Sequence, residues 1–232
     1  MSEAAEKVTG LKHLPLFPLP LVLLPNEVLP LHIFEPRYRK MLADVEQERR
    51  LFGISHFEAA GSPADRPPVG SVGCVAEIRE TQMLPDGESN IITIGVIRYR
   101  LLDYVEAGEP YLIGDLDFFE DKAEPGDDLE RQANEVYELF ERVARAAFKM
   151  SGSRGQFPEI PRSDPEHLSF LITTAFNLDN DLKYKLLETD STSDRLQKLN
   201  EILEQTVTKM EESAEIFKVS QTNGHSSKKL DL

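Results

Sequence analysis

The 232-residue sequence predicts an α+β protein in two lobes, a small mixed β-barrel with one inserted helix over residues 11–120 and a helical bundle over residues 127–219. Three observations lead there. Apolar residues recur at a period of about two up to Phe119 and of about three and a half from Leu129 onward, the repeats of strands and of helices. Gly, Pro and Asp turn signals punctuate the first part at short intervals. Between Leu14 and Leu42 the chain reads LPLFPLPLVLLPNEVLPLHIFEPRYRKML, with Pro15, Pro18, Pro20, Pro25 and Pro30 set among apolar residues. Proline supplies no N–H and clashes inside a helix, so this run is extended, buried and not a membrane span.

Residues 1–10 are polar and read as a flexible tail. Leu14 to Phe17 and Val28 to Phe34 then suit barrel or edge strands, with Leu21 to Pro25 crossing between them. Pro36 opens an amphipathic helix to about Arg49 that turns Tyr38, Met41, Leu42 and Val45 inward, and Phe34 is placed to staple back onto it. Leu51 to Phe57 is a strand, and Ala59 to Gly70, rich in Gly and Pro, is a loop. From Ser71 the chain alternates, with Val72, Cys74, Ala76 and Ile78 on one side. Pro85-Asp86-Gly87 marks a hairpin to a return strand over Asn90 to Val105, and a last strand covers Tyr111 to Phe119. Six short strands with one inserted helix suit a closed barrel, because closure removes exposed edges.

Glu120 to Asp128 is acidic, carries Pro and Gly, and reads as a soft joint. Beyond it, Asp127 to Glu130 forms a capping box for a long helix whose Leu129, Ala133, Val136, Phe140, Val143 and Ala147 share a face. Ser151 to Arg162 breaks that helix. Ser163-Asp164-Pro165-Glu166 starts the next, with Leu168, Leu171, Ile172, Ala175 and Phe176. Asp179-Asn180 caps a short helix over Leu182 to Glu188. Ser191 to Asp194 caps a final helix reaching about Val219, with a seam of Leu196, Leu199, Leu203, Met210 and Phe217. Residues 220–232 read as a disordered tail.

Composition narrows the function. A chain of this length buries roughly 70 % of its unfolded surface, enough for a full core. The net charge is −15, from 16 acidic against 11 basic residues in 1–110 and 25 against 15 in 111–232. Binding nucleic acid or an anionic membrane requires Lys and Arg to neutralise phosphates, so neither is an expected partner. One cysteine, Cys74, excludes a disulfide framework, and the acidic, proline-broken start fits no secretory signal. A cytoplasmic protein is expected. No glycine-rich phosphate loop followed by Lys-Ser/Thr is present. Ser151-Gly152-Ser153-Arg154-Gly155 is a helix-ending loop and not a nucleophile elbow, since no strand precedes it. His13, His32 and His56 have no metal-ligand spacing, and Asp179-Asn180-Asp181 lacks the glycine and distal glutamate of a calcium loop. No catalytic residue, metal or cofactor is therefore expected.

The LPLFPL opening, the PLHIFEPRYR block and the strand Gly95-Val96-Ile97-Arg98-Tyr99-Arg100 together resemble the amino-terminal domain of the Lon ATP-dependent protease family. The likeness extends through Pro85-Asp86-Gly87 and Leu182 to Glu188 to Arg195-Leu196, covering about Leu11 to Leu203. Tyr184-Lys185 departs from the Lys-Gln pair usual in the family. The resemblance implies a PUA-like barrel beside a helical lobe. It further implies a stand-alone substrate-recognition module without the ATPase and peptidase parts, binding unfolded polypeptide or a protein partner, linked to protein quality control, with a protease or ATPase acting in trans.

Within that frame Glu35, Arg37 and Tyr38 admit two readings. They pin the helix to the barrel, or Arg37 joins Arg98 or Arg100 in a groove that holds a peptide carbonyl or carboxylate. Alternation turns one of Phe118 and Phe119 inward and the other outward as a contact. The competing function is a scaffold or adaptor docking a larger degradation assembly through the helical lobe.

Overall fold

The computed structural model describes residues 2–58, 66–151, 156–176 and 178–223, save the side chains of 149 and 211–223. The elements are α1 (Glu3–Val8), β1 (His13–Leu19), β2 (Val28–Ile33), α2 (Pro36–Glu46), β3 (Leu51–His56), β4 (Val72–Met83), β5 (Ser89–Tyr104), β6 (Leu112–Phe119), α3 (Gly126–Met150), α4 (Pro165–Ala175), α5 (Asn180–Glu188) and α6 (Thr192–Asn223). It is a mixed α+β architecture, with helix α2 inserted after the first two strands as the pattern requires.

The strands form one sheet in the order β2-β5-β4-β3-β1-β6, and β5 also pairs with β6, so the pairings run in a ring with β2 appended. Only β1 and β3 are parallel among these pairings. On one face Val8, Leu16, Leu51, Val75, Tyr99, Leu101 and Leu116 cluster. Tyr99 fits because Gly73 lies beneath it: a Cβ there would stand 2.3 Å from the phenol oxygen. Tyr99 and Ser55 hydroxyls share a hydrogen bond of 2.7 Å. On the opposite face Phe17, Phe52, Ile54, Cys74, Ile78 and Ile91 receive Tyr38, Met41, Leu42 and Val45 of α2. Alternation thus delivers two cores from one set of strands. Pro30 lies in β2, the strand paired on one side only, where a missing donor is tolerated.

The bundle packs α3, α4 and α6 together over Val136, Phe140, Leu168, Ile172, Leu196 and Leu203. Its starts follow the caps: Asp164, Asp179 and Ser191 side chains accept from the N–H groups of His167, Leu182 and Asp194 at 3.0, 2.8 and 3.0 Å. Tyr184, the departure from the family pattern, has a function in packing, since its hydroxyl accepts from the Val72 N–H at 2.9 Å and ties α5 to β4.

Several expectations are corrected. Residues 3–8 of the expected tail are helical, because Val8 buries against the inner core and the Arg49 guanidinium donates to the Lys7 and Thr9 carbonyls at 3.1 and 2.9 Å. Phe34 does not staple α2; it is 56 % exposed and stacks on His32, as an edge strand leaves that face uncovered. Helix α2 stops at Glu46, where Arg50 takes a φ of 59° and its N–H returns to the Val45 carbonyl. Helix α6 continues through 220–223, expected to be tail. Residues 224–232, most of the Ala59 to Gly70 loop and Gly152 to Gly155 lie outside the described residues. Among the described residues no helix is long and apolar enough to cross a membrane, and no group of three His, Cys, Asp or Glu side chains could hold a metal ion.

Candidate functional site

The joint between strands and helices is assembled from six places in the chain. Strand β5 brings Arg98, the end of β6 brings Phe119, and the next residues bring Asp121. Helix α4 brings Glu166, Ser169 and Phe170, the end of α5 offers backbone carbonyls, and α6 brings Thr192 and Arg195. Asp121 is ion-paired to both Arg98 and Arg195 and accepts from the Thr192 hydroxyl. Arg98 also donates to the Leu187 and Thr189 carbonyls at 3.2 and 2.6 Å, and Arg195 donates to the Thr189 carbonyl at 2.8 Å and to Ser169 Oγ at 2.7 Å. Side-chain exposure is 1 % at Arg98, 4 % at Asp121 and 0 % at Arg195. The Phe170 ring lies beneath both guanidiniums, 5.3 Å from that of Arg98 and 4.0 Å from that of Arg195.

Burial alone would raise the Asp121 carboxyl, but the Arg195 hydrogen bond and the two guanidinium charges outweigh it and hold the group below the usual carboxylate range. Burial lowers Arg195 from its ordinary value, and burial followed by the neighbouring Asp121 charge raises Glu166. The expected soft joint is thus pinned at Asp121. Val22, Leu24, Val72, Phe170 and Leu187 seal it with an apolar cluster, against which Phe119 packs.

Beside this joint the surface opens into three adjoining depressions. The largest, about 490 Å³, is lined by Arg98, Phe119, Glu120, Glu166 and Phe170 among others. A second of about 260 Å³ lies between Val28 and the Leu171, Thr174 and Ala175 side of α4. A third of about 160 Å³ reaches Lys7, Arg79 and Ile94. Asn26 lines all three, so they adjoin, and together they are called the trough. Its φ of 64° is left-handed, a conformation asparagine tolerates. It is held because the Asn26 N–H donates to the Gly95 carbonyl at 2.8 Å and the Gly95 N–H to the Glu27 carbonyl at 2.9 Å. Only glycine fits at 95, since a Cβ there would sit 2.0 Å from the Leu24 carbonyl oxygen.

Residues 13–205 match the family described as the ATP-dependent protease La (LON) substrate-binding domain. The chain belongs to that family. It is similar to the Lon protease of Dictyoglomus thermophilum, at 25 % identity over 80 % of this chain and 23 % of that protein, and to Lon protease 2 of Herpetosiphon aurantiacus, at 26 % over 85 % and 24 %. The chain therefore spans about a quarter of these relatives. The N-terminal domain of Mycobacterium avium complex Lon protease has the same fold, with a TM-score of 0.62 at 19 % identity over 83 % of this chain and 98 % of that one. A Lon N-terminal domain protein from Xanthomonas campestris matches with a TM-score of 0.57 at 22 % identity, over 82 % of this chain and 97 % of that one.

This Lon substrate-binding domain brings only part of the expected residue set together. Arg98 and Phe119 line the trough. Arg100 reaches the Gly70 carbonyl at 3.1 Å and lies 5.7 Å over Phe119, on the flank of the joint. Phe118 is not an exposed contact; it packs on the inner core while Phe119 packs on the joint, so both are half-buried. Glu35, Arg37 and Tyr38 lie apart at the start of α2. Arg37 pairs with Glu35 at 2.9 Å and covers the buried Tyr38 ring at 4.5 Å, a local arrangement that shares no contact with Arg98. Sequence reasoning missed Asn26, Glu120, Asp121, Glu166, Phe170 and Arg195. The helix start at Asp164-Pro165 was a signal for Glu166, and the Pro25-Asn26 break for Asn26.

Proposed function

We propose that this chain is a non-catalytic recognition module that binds segments of protein substrate, unfolded or with exposed apolar side chains, in the trough beside the Asp121 joint. The trough carries this reading: both lobes and α1 contribute to it, its lining combines polar side chains with apolar ones such as Phe119, Phe170 and Leu171, and subdomain junctions are where concave sites form. Membership of the Lon substrate-binding family supports the ligand class. The ring of strand pairings serves as a PUA-like barrel that fixes one wall. We read the chain as having no reaction of its own and as acting in cytoplasmic quality control with a protease or ATPase in trans, a reading that membership of the substrate-binding family supports. The charge of −15 supports polypeptide over nucleic acid or anionic membrane.

A titration of a labelled, permanently unfolded polypeptide tests it. Binding is expected with a Kd on the order of 1–100 μM, about 5.5–8 kcal/mol. Ala175→Trp, which fills the α4 side of the trough, is expected to abolish binding at unchanged melting temperature, and Arg37→Ala to leave binding intact. Undiminished binding by the filled variant, or none by the wild type at millimolar concentration, overturns the reading.

A further inference from the structure

Two of the three depressions differ in chemistry. The largest is walled by Glu120, Asp164 and Glu166, with Glu3 at the α1 side, and by the aromatic side chains Phe119 and Phe170. The cations nearby are committed. Arg98 is bound to Asp121 and two carbonyls and approaches Glu166 only at 4.0 Å; Arg195 is closed into the same network; Lys7 holds Glu77 at 2.8 Å and Glu3 at 3.4 Å. Glu120 accepts from the Ser2 hydroxyl and Asp164 caps α4, so neither is neutralised. Burial first, and then the Asp121 charge, push the Glu166 carboxyl up against the opposing Arg195 and Arg98 charges. Beside this acidic, aromatic hollow, the α4 depression presents Pro25, Val28, Leu171 and Ala175, with Val28 60 % exposed. The two share Pro25, Asn26 and His167, so they abut.

We propose that the trough reads a two-part signal in an extended polypeptide: a cationic side chain, arginine above all, in the carboxylate-lined hollow and an apolar side chain two residues away in the α4 depression. It rests on the trough being the polypeptide site. Charge complementarity selects the first part, since carboxylates that outnumber the cations facing the hollow, set beside aromatic rings, favour a guanidinium that pairs in its plane and stacks on its face. The second part follows from adjacency, because the two hollows share Pro25, Asn26 and His167, and side chains two positions apart on one face of an extended chain are neighbours about 6.6 Å apart. Acidic segments are repelled from the same walls, so the site discriminates by rejection as well as by attraction.

The test uses the full chain and four short labelled peptides identical except at two positions: Arg-x-Leu, citrulline-x-Leu, Arg-x-Ser and Glu-x-Leu. Citrulline keeps the shape of arginine without its charge. Fluorescence anisotropy is expected to show about tenfold weaker binding for citrulline than for arginine and a further loss for glutamate, with the arginine advantage falling as salt rises. Replacing leucine by serine is expected to weaken binding by about tenfold as well. In Glu166→Gln and, separately, in the exposed Glu120→Gln, the arginine advantage is expected to shrink while the leucine advantage stays. The second variant lies outside the Asp121 network, so a folding defect in the first does not hide the answer. If arginine and citrulline peptides bind equally, the cation site is overturned and the recognition function stands. If serine costs nothing, the two-part signal is overturned. If no peptide binds, the recognition function falls and this inference with it.

Discussion

At Asp121 two guanidiniums share one carboxylate, all three nearly inaccessible. Removing one member of a buried ion pair strands the other charge and costs far more than the intact pair contributes. Asp121→Asn is therefore expected to lower stability by about 3–5 kcal/mol in urea denaturation. The pH dependence has a definite sign. Because the folded carboxyl is held below its unfolded value of about 3.9, its contribution is fully present above that value and disappears only as pH falls through the lowered one. The gap between wild type and Asp121→Asn should accordingly be constant from neutral pH to about 5 and narrow only in stronger acid. Cys74 gives the second expectation at this scale. Burial pushes its thiol up to about 12, so the thiolate is scarce at neutral pH and the group is covered. A thiol reagent is expected to leave the native protein unmodified and to label one group per chain after denaturation; rapid native labelling would contradict the packing.

Among the elements, β5 carries the most consequence, since its register places four functions along one strand. Ile91 enters the α2 core, Gly95 admits the Leu24 to Asn26 crossing, Arg98 enters the joint and Tyr99 fills the ring. A single added methyl at 95 has backbone as its neighbour, which cannot rotate away. Gly95→Ala is expected to cost about 1–3 kcal/mol by overpacking. It should also move Asn26, so peptide affinity should fall more than in a control of equal stability loss placed in α3. Equal affinity in the two would show that the crossing does not shape the trough.

For the whole molecule, the question is whether the two lobes move as one. Lys122 follows the buried Asp121, its N–H donates to the Asp190 carbonyl at 2.9 Å, and its ammonium pairs with the Asp190 carboxylate at 2.9 Å. A protease needs an extended backbone at its site, and this one is held. Brief trypsin treatment is expected to spare the Lys122 bond in the wild type and to cut it early in Asp121→Asn, read by mass spectrometry of the fragments. Early cleavage at Lys122 in the wild type would restore the soft joint that the acidic, Pro- and Gly-bearing composition suggests.

The element order from β1 onward, the Asp164 and Asp179 caps, the Ser191 start, the apolar face of α2, the inward Cys74 and the family were all legible in the residues themselves. Each depends on short-range sterics or on burial repeated along one segment, and those leave a local pattern. The joint left none. Arg98 reads as one more charged residue on a strand, and only closure of the sheet and docking of α4, α5 and α6 bring it to Asp121, Thr189 and the neighbourhood of Arg195. Arg37 looked equivalent in sequence, yet its strand-to-helix corner points it to Glu35 two residues away. Helix α1 is likewise too short to be stable alone and forms because Val8 and Arg49 anchor it. Which charges meet, and whether a polar residue is spent in the frame or left facing a trough, is decided by contacts between distant segments, and these exist only once the chain has closed.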